Sequence, residues 1–203
     1  FQLLTSKNPA LRLSAIELLA ELADAAEKSN LLTDTTKQQL QRHIIDTLCL
    51  QVRHEGLNIS GEGTTADHAE LQHEIITAIL LRIHPGQHQT TVADWTQETI
   101  SINNASIITP LTISNTITQA TLDFRETVFW ESLIITDSSI SSIHWDSTRF
   151  NEKLEVLNSD ITSDLLPHNI KRGRFIKTNF FTKKHALTIS FTPHKTSSSI
   201  SFY

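Results

Sequence analysis

The chain has 203 residues, 38% of them hydrophobic and 19% charged, which is enough to bury a sizeable core, and no apolar run approaches the roughly 18 residues of a helical membrane span. Its single cysteine, Cys49, excludes an intramolecular disulfide framework, and five glycines leave little material for phosphate-cradling loops. The net charge of −5 is unevenly spread: residues 165–203 carry Lys171, Arg172, Arg174, Lys177, Lys183, Lys184 and Lys195 with no acid, so all 22 acids lie in residues 1–164, and ends of opposite sign suit opposite partners or each other.

The first part of the chain reads as helical. In "NPALRLSAIELLAELADAAEKS", Asn8 is the expected N-cap and Pro9 the first helical residue, with Leu11, Ala15, Leu18, Leu19 and Leu22 on the face expected to be buried. A second helix is predicted to bury Leu40, Ile44, Ile45, Leu48 and Val52, with Asp34 or Thr33 as its cap, and Cys49 falls on that stripe as a core thiol. Gly56, Gly61 and Gly63 mark the loop that follows. A third helix aligns Leu71, Ile75, Ile76, Ile79 and Ile83 before Pro85 and Gly86 end it. In the first helix Pro9, Arg12, Ala15, Leu19 and Leu22 resemble the P-x-x-R-x-x-A helix of HEAT and armadillo repeats. The expected helical domain covers residues 1–88.

From residue 99 the composition turns to Ile, Ser and Thr, and six rows align: "TISINNASI", "LTISNTIT", "LDFRETVF", "LIITDSSI", "IHWDSTRF" and "LEVLNSDI". Their leading large residues are Ile102, Ile113, Phe124, Ile135, Trp145 and Val156, spaced by 11 or 10. A second large residue follows five later at Ile107, Phe129, Ile140, Phe150 and Ile161; in the second row Ile117 comes after only four. Two before that residue stands Ala105, Thr127, Ser138, Thr148 or Ser159, always small. Neither a strand nor a helix puts this set on one face. A chain that turns a corner every five residues does, pointing one large residue inward per flat face and leaving room at the corner for a small one. The competing reading, a β-sandwich, needs turn signals between strands, yet residues 99–163 hold one Pro and no Gly.

The five-residue rule resembles the pentapeptide-repeat family, which implies a right-handed, four-sided β-helix over residues 95–185. Family repeats centre on Leu or Phe with Ala at the small position; here Ile and Thr or Ser stand in, and rows of 11 imply a bulge per half coil. "NIKRGRFIKTNFF" returns to strict spacing at Ile170, Phe175 and Phe180. The helix-then-repeat order is similar to a group of actinobacterial pentapeptide-repeat proteins, many with membrane spans upstream of the helices. Phe1 and the absence of Met lead to the expectation that the gene product starts upstream of residue 1; the expected location is cytoplasmic, and the resemblance implies membrane association through a segment before residue 1 as the further option. At the far end "ALTISFT" and "SSISFY" read as a hairpin over 186–203 that covers the last coil.

The expected architecture is therefore α+β: three helices, an imperfect β-helix and a hairpin cap. No catalytic residue, metal site or cofactor is expected. The ten histidines, His68, His73, His84 and His88 among them, come without paired cysteines or helical ligand spacing and read as exposed. Asp123, Glu126, Glu131, Asp137 and Asp146 lie between inward positions and read as an outward acidic face. The expected function is a non-enzymatic scaffold binding another protein, with the C-terminal end as a homodimer contact. The alternative is a nucleic-acid-directed regulator. It would act either as a DNA mimic on a topoisomerase through the acidic flank, or as a binder of nucleic acid or anionic membrane through Lys171, Arg172, Arg174, Lys177, Lys183 and Lys184.

Overall fold

A computed structural model of the protein describes residues 3–57, 65–84, 92–163, 170–182 and 186–189. Helix α1 (Pro9–Lys28) starts at Asn8, whose side chain accepts the Ala10 N–H at 3.0 Å, with Pro9 where no N–H is needed. Helix α2 (Asp34–Leu57) is capped by Thr33, whose Oγ1 accepts the Thr36 N–H at 3.3 Å, and Asp34 sits in the first turn where a carboxylate favours the helix dipole. Helix α3 (Thr65–Ile83) buries its whole predicted stripe, and α2 buries Ile44, Ile45, Leu48, Cys49 and Val52.

Helix α1 departs from expectation. Its buried face is Arg12, Ala15, Ile16, Ala20, Ala23 and Ala26, whereas Leu11, Leu18 and Leu22 are 45%, 57% and 45% exposed. The physical reason is a pair of buried cations that only a small-residue face leaves room for. Arg12 Nη1 donates to both carboxylate oxygens of Glu55 at 2.8 and 2.9 Å, and Glu55 also meets His68 Nδ1 at 2.6 Å and the Gln51 amide. Glu55 is 0% exposed, so one carboxylate ties α1, α2 and α3 together. His68 is therefore a buried partner and not an exposed side chain. On the other flank Arg82 donates to Asp24 at 3.0 and 2.7 Å and to the Ala20 carbonyl at 3.0 Å, and lies 5.4 Å from the ring of the buried Trp95.

From Thr99 the chain winds into a parallel β-solenoid of about four turns. One sheet holds β1 (Thr99–Ser101), β4 (Ile117–Asp123), β7 (Ser139–His144), β10 (Asp160–Ser163) and β12 (Thr178–Thr182). A second holds β3 (Leu111–Ser114), β6 (Leu133–Thr136), β9 (Leu154–Leu157) and β11 (Gly173–Ile176), and a third β2 (Ser106–Ile107), β5 (Val128–Phe129) and β8 (Arg149–Phe150). There are thus three sheets where four sides were expected, because β4 and β7, with 7 and 6 residues, run as single strands through a register shift. Such shifts, at Thr118/Thr121 and Ile161/Ser163, are confined to that one sheet among the described strands, in place of a bulge per half coil.

The coils stack as the row alignment predicts. Ile113, Ile135, Val156 and Phe175 are in direct register, as are Ile107, Phe129 and Phe150. Ladder bonds from Ile102 N–H to Asp123 O (2.9 Å) and from Phe124 N–H to His144 O (2.7 Å) align Ile102, Phe124 and Trp145. Phe129 stacks on Phe150 with centroids 5.2 Å apart and planes at 8°. The second row does not break step after all: Thr118 is 3% exposed and pairs with Ile140, while Ile117 points out at 69%. Leu111, Leu133 and Leu154 form a further inward column that the five-residue rule does not name.

Two residues after each leading position the backbone takes a positive φ, at Asn104, Asn115, Glu126, Asp137, Ser147, Asn158 and Lys177. Where the turn is closed by a bond from Thr127 N–H to Phe124 O or from Thr148 N–H to Trp145 O, that positive φ at the third residue fits a type II turn. The small residue comes next, and its hydroxyl explains why Ser and Thr replace Ala. Thr127 Oγ1 donates to Ile102 O at 2.8 Å, Thr148 Oγ1 to Phe124 O at 2.6 Å and Thr178 Oγ1 to Val156 O at 2.8 Å, each a carbonyl of the preceding coil. Ser138 and Ser159 work the other way, accepting the N–H of Thr116 and of Ser138 at 3.1 Å.

Helices close the first coil. Gln72 Nε2 donates to Ser106 O at 2.8 Å and Gln72 Oε1 accepts the Ile108 N–H at 2.8 Å, so a side-chain amide stands where a preceding strand would. Gly56, expected in a loop, belongs to the last turn of α2, where a Cβ would lie 2.0 Å from Ser106 O. At the other end β13 (Ala186–Ile189) pairs antiparallel with β12, with Phe180 and Leu187 in register. The expected second hairpin strand, "SSISFY", lies outside the described residues, as do His88, Lys183 and Lys184.

Replacing Ser138 or Thr148 by Leu overpacks a corner and is expected to lower stability by about 1–3 kcal/mol, whereas Glu126→Asn suits the positive φ better and is expected to raise it by up to about 1 kcal/mol. Urea denaturation of the three variants checks the order, and equal midpoints would refute the corner assignment. Glu55→Gln strands Arg12 in the interior and is expected to cost about 3–5 kcal/mol, read as a fall in thermal midpoint far larger than that of the exposed Glu21→Gln.

Candidate interaction surfaces

The leucines that α1 turns away from the core do not scatter over the surface. Leu11, Leu18, Leu22 and Ala25 are all exposed and lie at spacings of seven, four and three, which puts them on one outward stripe of the helix. Leu18 and Leu22 of that stripe, with Leu3, Leu4, Ala15, Leu19, Leu40 and Ile44, line an open groove of about 390 Å³ between α1, α2 and the turn before α1. Glu17 and Glu21, both exposed, stand one residue before Leu18 and Leu22 on the α1 lip. His43 lines the groove from α2, and His54, three turns further on, is exposed on the same helix face and also reaches Glu55 Oε1 at 3.7 Å. Leu50 and Leu57 extend that lip, 62% and 69% exposed. The apolar patch follows from α1's rotation, which the helix periodicity alone misplaces by treating leucine as the buried residue.

The basic candidates fall on the last coil. Lys171, Arg172, Arg174 and Lys177 are all exposed, Lys177 at a corner with φ of 47°. Two of them are engaged by the coil before: Arg174 Nη1 lies 3.5 Å from Glu155 Oε1 and Arg172 Nη1 4.0 Å from Glu152 Oε2, while Lys153 holds the second oxygen of Glu155 at 3.1 Å. Glu152 and Glu155 thus offset part of the charge that the acid-free composition of residues 165–203 implies.

Of the five acids expected outside, Glu126, Glu131, Asp137 and Asp146 are exposed, but Asp123 is only 4% exposed. Burial would push its carboxyl up, yet two bonds from the Arg125 guanidinium at 2.8 Å and one from the Arg125 N–H at 3.2 Å outweigh this and hold it below the usual aspartate range. A folded-state value below the unfolded one stabilises the fold at neutral pH, and that contribution is lost as pH falls through the acid range. The remaining acids are outward at or beside corners, with Asn158 Nδ2 donating to Asp137 at 3.1 Å across coils.

Cys49 is buried, and burial pushes its thiol up to about 12, which makes it an inert core residue. Among the described residues no group of three or more His, Cys, Asp or Glu is placed to hold a metal ion, and no helix is long and apolar enough to cross a membrane. His73 Nδ1 is 3.4 Å from Thr109 Oγ1, at the junction of α3 with the first coil. No family model, curated protein or solved structure matches the chain.

Proposed function

We propose that the protein is a non-enzymatic scaffold of the pentapeptide-repeat type, which holds another protein on its helical end while the solenoid serves as a rigid body. The observation that carries this reading is the exposed leucine seam of α1 over the groove, since a run of apolar side chains left in water at regular helical spacing marks a surface meant to be covered. The five-residue step between inward residues, the small residue before the second of them and the turn at each corner support the pentapeptide type. Rows of 11 and three sheets distinguish it from the regular family pattern. Leu18→Asp with Leu22→Asp alters exposed residues only and is expected to leave the circular dichroism unchanged while abolishing groove-dependent protein binding in a quantitative pull-down. Retention of the same interactors by that variant would overturn the reading.

A second reading rests on Lys171, Arg172, Arg174 and Lys177 projecting from one coil. If this end recognises nucleic acid or anionic lipid, binding of duplex DNA or anionic vesicles falls steeply between about 50 and 200 mM salt and is lost when the four are neutralised together. If the exposed acids act instead as a DNA mimic, the chain inhibits gyrase supercoiling and leaves free DNA alone. Salt-independent silence in these titrations and in the supercoiling assay removes both forms.

A further inference from the structure

A sheet edge is a row of N–H and C=O groups in need of partners, and the first coil presents one such edge for each of its strands β1, β2 and β3. Helix α2 covers β1, where the Ser101 backbone bonds the Cys49 thiol. At β2 the Ser106 C=O and the Ile108 N–H point back from the coil ladder, and the Gln72 side-chain amide meets both at 2.8 Å. The third edge, β3, has no such cover among the described residues. Leu111 and Asn115 give their N–H groups to Ser132 and Thr136 of the next coil, so the intervening Thr112 and Ser114 turn their N–H and C=O groups the other way. The Ser114 C=O is taken by the Thr116 hydroxyl at 3.1 Å, and Pro110, just before the strand, has no N–H to offer. What stays open is the Thr112 N–H and C=O and the Ser114 N–H.

These groups border a groove of about 260 Å³ between β3 and the C-terminal turn of α3, where Leu80, Leu81 and His84 form the facing wall. The Nδ1 of His84 is buried without a hydrogen-bond partner, and Leu81 is 40% exposed. The pair left open at β3, a C=O and the N–H two residues on, is the same pair that Gln72 satisfies at β2 with one amide, so the fold itself shows which group fits. An extended backbone offers an N–H and a C=O to one side at every second residue, whereas a helical ligand has these groups engaged internally. We propose that the β3 edge takes up an extended segment of a partner protein in the place a preceding coil's strand would hold. The segment pairs with Thr112 and Ser114, seats an apolar side chain on Leu80 and Leu81, and brings a polar group to His84 Nδ1. This surface shares no residue with the leucine groove of α1, so it stands or falls apart from the interaction reading above.

Amide hydrogen exchange of the intact chain, read by NMR, tests the edge without any ligand. Thr112 and Ser114 are expected to exchange at least about tenfold faster than Leu111 and Ile113, whose N–H groups are in the ladder. Equal protection would mean that the edge is already covered, and protection that rises with protein concentration would assign it to a second copy; either result overturns the proposal. Selection of random peptides about seven residues long against the intact chain then supplies the probe. Enriched peptides are expected to carry an apolar residue at one fixed position and to slow exchange at Thr112 and Ser114. N-methylating the peptide is expected to weaken binding about tenfold at the residue paired with the Thr112 C=O and little at its neighbours, a pattern that side-chain docking does not produce. Leu81→Asp is expected to abolish binding with unchanged circular dichroism. Failure to recover any peptide that protects Thr112 and Ser114, or binding indifferent to N-methylation, would overturn the inference.

Discussion

Everything in the solenoid depends on the corner that follows each leading residue. There the chain takes a positive φ, which costs an ordinary L-residue roughly 1–2 kcal/mol, and does so at seven described positions without using glycine. Asn at three of them and Asp at Asp137 soften the cost; Glu126, Ser147 and Lys177 do not share that advantage. What offsets it is cooperative. The corner residue's own N–H stays in the inter-coil ladder, as for Asn104 to Arg125 O at 2.8 Å and Glu126 to Asp146 O at 2.9 Å. The next side chain adds a bond from Thr or Ser to the neighbouring coil. Turning sharply without breaking the ladder is what lets large side chains converge inward and stack.

A stacked ladder has ends, and its first end shapes the helical region. The free carbonyl of Ser106 and N–H of Ile108 are satisfied by the amide of Gln72, and α2 comes close enough only because Gly56 has no side chain to meet the Ser106 carbonyl. Arg53 to Asn103 at 2.9 Å and Arg42 to Glu98 at 3.0 Å add polar ties along the same junction. The hydrophobic core consequently runs without interruption from Ile44 and Leu48 through Ile75 and Ile79 into Ile100 and Ile107. Helices and solenoid share one interior.

Inside the helical layer, polar pairs decide which way α1 faces. Arg12 with Glu55 and Arg82 with Asp24 demand close backbones and small neighbours, which alanines supply. A buried ion pair that loses one partner leaves an uncompensated charge, so these contacts set the rotation of α1 more firmly than leucine burial would. The seam of leucines is left outside as a consequence, and the groove that supports the interaction reading is a by-product of the same buried charges.

The row alignment alone is enough for the solenoid, because inward positions recur with a period that no helix or flat strand shares, and the same period sets Ile113, Ile135 and Val156 in one stack. The helices were legible for the same reason, through their caps and their aliphatic spacing. Other features needed the tertiary structure. Whether Thr118 or Ile117 points inward is a matter of one residue of register, and a strand's side chains reverse face with each such step, so the larger apolar residue was a misleading guide. Asp123, His68 and Arg12 are buried because partners from distant segments meet them, and no local pattern records those partners. The exposed face of α1 was hidden for the same reason: periodicity shows that a helix has two faces, but which one the core accepts is settled by what the neighbouring helices bring against it.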